Sequence, residues 1–98
     1  AHFDMPSFSI TTNDPEPHFA KITISLGYEE NVELNAELVQ RTPQMQHVVN
    51  ILLRDKSYED LNSVEDTVNL AEEIKAHINV LLLKGKVKEV YFREFVVN

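Results

Sequence analysis

His18-Phe-Ala-Lys-Ile-Thr-Ile-Ser-Leu-Gly-Tyr28 decides how the rest of the chain is read. Ala20, Ile22, Ile24, Leu26 and Tyr28 alternate with Lys21, Thr23 and Ser25. Successive side chains of a strand point to opposite faces, so the stretch predicts a half-buried strand with one apolar and one polar side. Such a strand needs cover on one face only, and the remaining sequence must provide it.

Working outward, Pro6-Ser-Phe-Ser-Ile-Thr-Thr12 predicts a second strand with Phe8 and Ile10 on one face. Asn13-Asp-Pro-Glu-Pro17 joins the two as a turn or loop, because two prolines and an Asn-Asp pair favour that backbone. On the other side the period changes. Met45, Val48, Val49, Leu52 and Leu53 fall at helical spacing. Thr42-Pro43 gives that helix a start, with Thr as cap and Pro at the first helical position. Val32, Leu34, Ala36 and Leu38 alternate, yet Leu, Ala and Glu are strong helix formers and Leu38 leads to Met45 and Leu52 in steps of seven, so helix is preferred. Pro43 either kinks one helix or starts a second.

Ser57-Tyr-Glu-Asp-Leu61 predicts a short helical turn. Ser63-Val-Glu-Asp66 resembles a capping box with Asp in place of Glu or Gln. Leu70, Ala71, Ile74, Ile78 and Leu81 form the buried stripe of the longest helix, and Lys84-Gly85 supplies a cation and a stop. A last strand lies in Val87-Lys-Glu-Val-Tyr-Phe-Arg-Glu-Phe-Val-Val-Asn98. Strands and helices segregate, which gives an α+β domain: a small, mostly antiparallel three-stranded sheet with helices packed on one face, in the order strand, strand, helix, helix, helix, strand. With 98 residues and no separating linker, one domain spans residues 1–98.

Charge and composition exclude whole classes of function. The formal net charge is −7, and the densest basic run is Lys84-Gly85-Lys86-Val87-Lys88. Nucleic acid demands a concentrated cationic footprint, and this chain repels phosphate. Docking on anionic lipid is disfavoured for the same reason. The absence of cysteine removes disulfides and thiolate metal sites. No stretch has the length of a membrane span, and the chain opens at Ala1-His2 without an initiating Met or a leader, which reads as a piece of a longer protein.

Chemistry-bearing patterns are equally sparse. His2, His18, His47 and His77 form no helical pair with metal-ligand spacing, and His47 and His77 lie off the apolar stripes, as surface histidines do. Two glycines, Gly27 and Gly85, cannot form a phosphate loop or a nucleophile elbow. The acidic run Glu29, Glu30, Glu33 and Glu37 lacks the ligand spacing and central Gly of a calcium loop, and reads as a solvated helix flank. The expectation is a non-enzymatic protein with no cofactor and no metal.

What stands out is apolar surplus. In strict alternation Val90, Phe92 and Val96 share one face of the last strand while Tyr91, Phe95 and Val97 share the other. The long helix ends in Val80-Leu81-Leu82-Leu83, with Val80 and Leu83 outside its stripe. Either the helix end is buried all round or covered by Phe3 and Phe8, or these residues form a protein contact surface. In the contact reading helices cover Val90, Phe92 and Val96. A partner meets Tyr91, Phe95 and Val97, with Val80 and Leu83 added and Arg93 and Glu94 as the polar rim.

Arg41-Thr-Pro-Gln-Met-Gln-His-Val-Val-Asn-Ile-Leu-Leu-Arg54, then Ser57-Tyr-Glu-Asp-Leu61, Leu70-Ala-Glu-Glu-Ile74, Asn79 and the closing Val-Tyr-Phe-x-x-Phe-Val string resemble, in order and spacing, the C-terminal extracytoplasmic domain of the FliL family. Asp66, where the resemblance leads one to expect glycine, and the residue after Asn13, where an apolar one is expected, depart from it. The resemblance implies a bitopic bacterial inner-membrane protein whose single N-terminal membrane helix and cytoplasmic tail lie outside this sequence. Its domain would sit in the periplasm at the flagellar basal body. It further implies a non-enzymatic role with the stator proteins MotA and MotB in torque, swimming and swarming, a stomatin-like scaffolding fold, and ring-forming homo-oligomers. The competing reading is a generic periplasmic α+β module that binds a ligand or peptide. A hydrolase or metal enzyme would instead need clustered, perturbed carboxylates or histidines in a cleft.

Overall fold

The computed structural model describes all 98 residues. Its elements are β1 (His2–Asp4), β2 (Phe8–Thr11), β3 (Phe19–Gly27), α1 (Val32–Gln40), α2 (Thr42–Arg54), α3 (Tyr58–Leu61), α4 (Val64–Leu81) and β4 (Glu89–Val97). The architecture is α+β, with an antiparallel sheet backed by helices, as the sequence pattern predicts.

Strand β3 is the centre. It pairs with β4 along one edge, while β1 and β2 follow one another along the other, so four strands fill three lanes. Met5 donates to the Ile24 carbonyl at 3.0 Å between β1 and β2, and Pro6, which has no N–H, interrupts the lane there. The short β1 carries too little alternation to be read from sequence; it exists because Phe3 lies opposite Leu26. Ala20, Ile22, Ile24 and Leu26 are completely buried, as their alternation requires. Against them pack Leu34 and Leu38 of α1, Met45, Val49 and Leu53 of α2, and Leu70, Ile74 and Ile78 of α4.

The helix boundaries show which local signals operate. Pro43 starts a second helix: the break falls at Arg41, and Pro43 sits in the first turn, where a missing N–H costs nothing. Thr42 is not the cap its type suggests. It lies inside α2, and its hydroxyl donates to the Leu38 carbonyl at 2.8 Å. At α3, Ser57 and Asp60 form a complete capping box. At α4, the Ser63 hydroxyl accepts from the Asp66 N–H at 3.0 Å and donates to its carboxylate at 2.7 Å. The far end of α4 differs from expectation. The helix stops at Leu81, Leu82 rather than Leu81 is fully buried, and Gly85 is not in a left-handed conformation. Gly85 is needed for proximity, because a Cβ there would lie 2.9 Å from Leu34 Cδ2. The capping cation is Lys86, whose ammonium donates to the Asn79 and Leu82 carbonyls at 2.8 and 2.9 Å. No helix is long and apolar enough to cross a membrane.

Candidate interaction surface

The surface is built around β4, and its geometry turns on one residue. Thr23 lies opposite Glu94, and Ile24 opposite Phe92, which leaves Arg93 as an extra residue in a β-bulge. The bulge resets the alternation. Val90, Phe92, Phe95 and Val97 pack toward the helices, and Tyr91, Glu94 and Val96 belong to the opposite face. The strict alternation expected from sequence is therefore corrected beyond Arg93. Phe95 and Val97 join the core side, and Val96 moves to the open face. The ring centroids of Phe92 and Phe95 lie 5.0 Å apart, edge to face, across the bulge.

No helix covers the open face, and polar contacts tie its lanes together. Glu94 lies 3.7 Å from the Lys21 ammonium and accepts a long bond from Thr23 at 3.4 Å. Arg93 reaches across β3 to Asp4 of β1 at 2.9 Å. These exposed ion pairs add little stability, about 0–1 kcal/mol each. The predicted polar rim of Arg93 and Glu94 thus falls on this face and engages the protein itself. Tyr91 lies over Gly27, where a Cβ would meet its ring edge at 3.0 Å, and beside the His2 ring at 5.7 Å. Ser25, opposite Tyr91 in the ladder, is buried. Tyr91 stays 42% exposed and Val96 48%, so the face presents an aromatic and an aliphatic group to solvent.

Val80 and Leu83, the other predicted contact residues, lie at the end of α4, 81% and 77% exposed. The backbone beside them is held firmly. Glu37, on α1, accepts from the Leu83 N–H at 2.9 Å, the Lys84 N–H at 2.9 Å and Arg41 Nε at 2.9 Å. Its side chain is only 7% exposed, which corrects the reading of Glu37 as part of a solvated flank. Burial pushes the Glu37 carboxyl up, but the Lys84 and Leu83 N–H groups and then Arg41 outweigh it, leaving it below its ordinary value. Asn79 clasps Val87 on both sides, accepting from its N–H at 2.8 Å and donating to its carbonyl at 3.0 Å. Together these bonds fix the connection between α4 and β4. Neither Glu37 nor Asn79 as a clasp was legible in sequence, because their partners are backbone groups that carry no residue signature.

Two of the concave regions involve α4. A cleft of about 600 Å³ is lined mainly by polar groups, among them Arg54, Asp55, Lys56, Glu73 and His77, with Lys56 and Glu73 paired at 3.1 Å. A groove of about 510 Å³ runs between α4 and β4, with Val68, Ala71, Val90, Tyr91 and Phe92 as its apolar lining. His47 and His77 are exposed, as expected; His18 stacks on Tyr58 with centroids 4.3 Å apart and bonds the Asn98 carbonyl. No group of three or more His, Asp or Glu side chains converges in a way that could hold a metal ion.

These features define a small helix-backed antiparallel sheet that presents aromatic and aliphatic side chains on an open face and along a free edge. The chain belongs to the family described as flagellar basal body-associated protein FliL, whose sequence profile matches residues 2–97. It is 29% identical over 94 residues to the flagellar protein FliL of Aquifex aeolicus, covering 95% of this chain and 58% of that protein. It is 31% identical over 78 residues to the flagellar FliL protein of Caulobacter vibrioides, covering 80% of this chain and 37% of that protein. The chain thus spans roughly a third to three fifths of the length of these relatives.

Proposed function

We propose that this chain is the periplasmic domain of an inner-membrane flagellar motor protein, tethered by an N-terminal membrane helix outside this sequence. In this reading it acts as a non-enzymatic scaffold that associates with the MotA/MotB stator and supports torque generation. Family membership supports a place at the basal body, since the family is described as basal body-associated. The observation that carries the contact surface is the open sheet face, where Tyr91 and Val96 stay exposed on a sheet whose opposite side is packed with helices. Val80 and Leu83 form a second exposed set at the end of α4. Two different patches are what head-to-tail ring assembly requires, because each subunit must offer unlike surfaces to its two neighbours. Membrane tethering would let weak contacts of this kind act by raising effective concentration.

The test uses the full-length, membrane-anchored protein with Tyr91→Ala and Val96→Ala together. Both side chains are exposed, so the domain should stay folded. The expected result is fewer labelled stator units at the basal body and a smaller swimming halo at unchanged protein level. Wild-type stator recruitment and motility in the double variant would remove this face from the mechanism.

A further inference from the structure

We infer that the groove between α4 and the free edge of β4 is a docking site for an extended, uncharged peptide segment with apolar side chains at alternate positions and basic flanks. The site meets the open sheet face at Tyr91 but does not depend on which motor component contacts that face. Three features build it. First, β4 is paired on one side only, so its outer backbone edge is available to accept another strand. Second, this edge borders a groove of about 510 Å³ whose apolar lining is Val68 and Ala71 from α4 and Val90, Tyr91 and Phe92 from β4. Val90 and Phe92 are left half-buried by the helices. A strand laid beside β4 would place every second side chain between them and α4. Third, the bulge at Arg93 divides the edge and leaves Glu89–Phe92 as the regular stretch, which is the stretch that lines the groove.

The bulge also selects the occupant. A second copy offering a long flat strand would be interrupted at Arg93, whereas a short segment of about four paired residues fits the regular part. Charge sets the rest. The groove's ionic lining is balanced, Lys75 and Lys88 against Glu72 and Glu89, with Lys75 already 2.9 Å from Glu72, so the segment inside it should carry no charge. The protein as a whole carries −7, which attracts basic flanks from a distance and repels acidic ones.

The probe is a blocked synthetic peptide of alternating valine and threonine with two lysines at each end, titrated into the labelled 98-residue domain. Amide exchange and chemical shifts are read residue by residue. Binding should slow exchange at one or more amides of Glu89–Phe92 by about tenfold or more at saturation, a protection expected of new ladder bonds. N-methylation at alternate peptide positions should abolish this. A version with glutamate flanks should bind several-fold more weakly at low salt, with the difference shrinking as salt rises. Val68→Glu, at an exposed helix position, should remove binding while the spectrum stays that of the folded domain. Absence of protection at millimolar peptide, equal binding by the N-methylated peptide, or the same protection produced by raising protein concentration alone would each overturn the inference, the last by giving the edge to a second copy. A failure here would leave the motility test of the open face unaffected.

Discussion

Strands β3 and β4 are neighbours of equal length, nine residues each, and both are rich in apolar side chains, yet they are buried very differently. All four core-facing residues of β3 are sealed from solvent, whereas each core-facing residue of β4, Val90, Phe92, Phe95 and Val97, keeps part of its surface exposed. The two share a ladder and face one common core. They differ in lane: β3 has strands on both edges, and β4 has one on a single edge. Apolar content in β4 therefore exceeds what the subunit can hide because of where the strand sits. This is the difference between a core strand and a strand that remains available to something else.

The comparison predicts unequal mutational costs. Ile24→Ala should be the most damaging, at about 2–5 kcal/mol by urea unfolding, because the cavity lies where nothing can collapse into it. Phe95→Ala should cost less, roughly 1.5–2.5 kcal/mol, since part of its ring stays exposed beside the free edge and the site can relax. Val96→Ala should cost under about 1 kcal/mol, because the bulge places it on the open face. Equal losses at Phe95 and Val96 would refute that facing.

Acid should act on a different set of residues. Glu37 has its carboxyl held below the ordinary 4.5, so its contribution to stability is fully present above that value and is lost as pH falls through the lower folded-state value. Asp14 and Asp60 lie below their ordinary 3.8, Asp14 mainly through bonds from Thr12 and the Tyr58 N–H, Asp60 through bonds from Ser57, and act with the same sign. Glu37→Gln should destabilise the domain at neutral pH, and the gap to wild type should close on acidification. Urea midpoints measured between pH ~7 and ~3 would show it, and a constant gap would deny the carboxylate its role.

The smallest effect on stability should come from deleting Arg93. Because it is the extra residue, its loss leaves Glu94 and Val96 outward and Phe95 and Val97 inward, and forfeits only an exposed bond to Asp4. The monomer should lose no more than about 1 kcal/mol. Straightening the edge should nevertheless raise self-association, seen by sedimentation, because a flat edge invites pairing.

Much of the fold could be read before any coordinates. The alternation in β3 and the stripe of α4 are periodic signals in which many residues agree, and the core confirmed them. The bulge is another matter. It depends on pairing between strands far apart in sequence, although Arg93-Glu94 between two alternating apolar runs, Val90/Phe92 and Phe95/Val97, marks the phase jump in retrospect. The contact surface was legible as a strand but not as a set of residues, for the same reason. Glu37 was hidden more deeply, since helical spacing places it beside Leu34 and Leu38 but cannot reveal backbone donors from the end of another helix.

The placement of β4 also bears on how the molecule forms. Its partner β3 is made early, and all four helices must be traversed before β4 can meet it. Such distant closure slows the search for the native state. Until it happens, β3 has one uncovered side, and the half-assembled chain is at its stickiest.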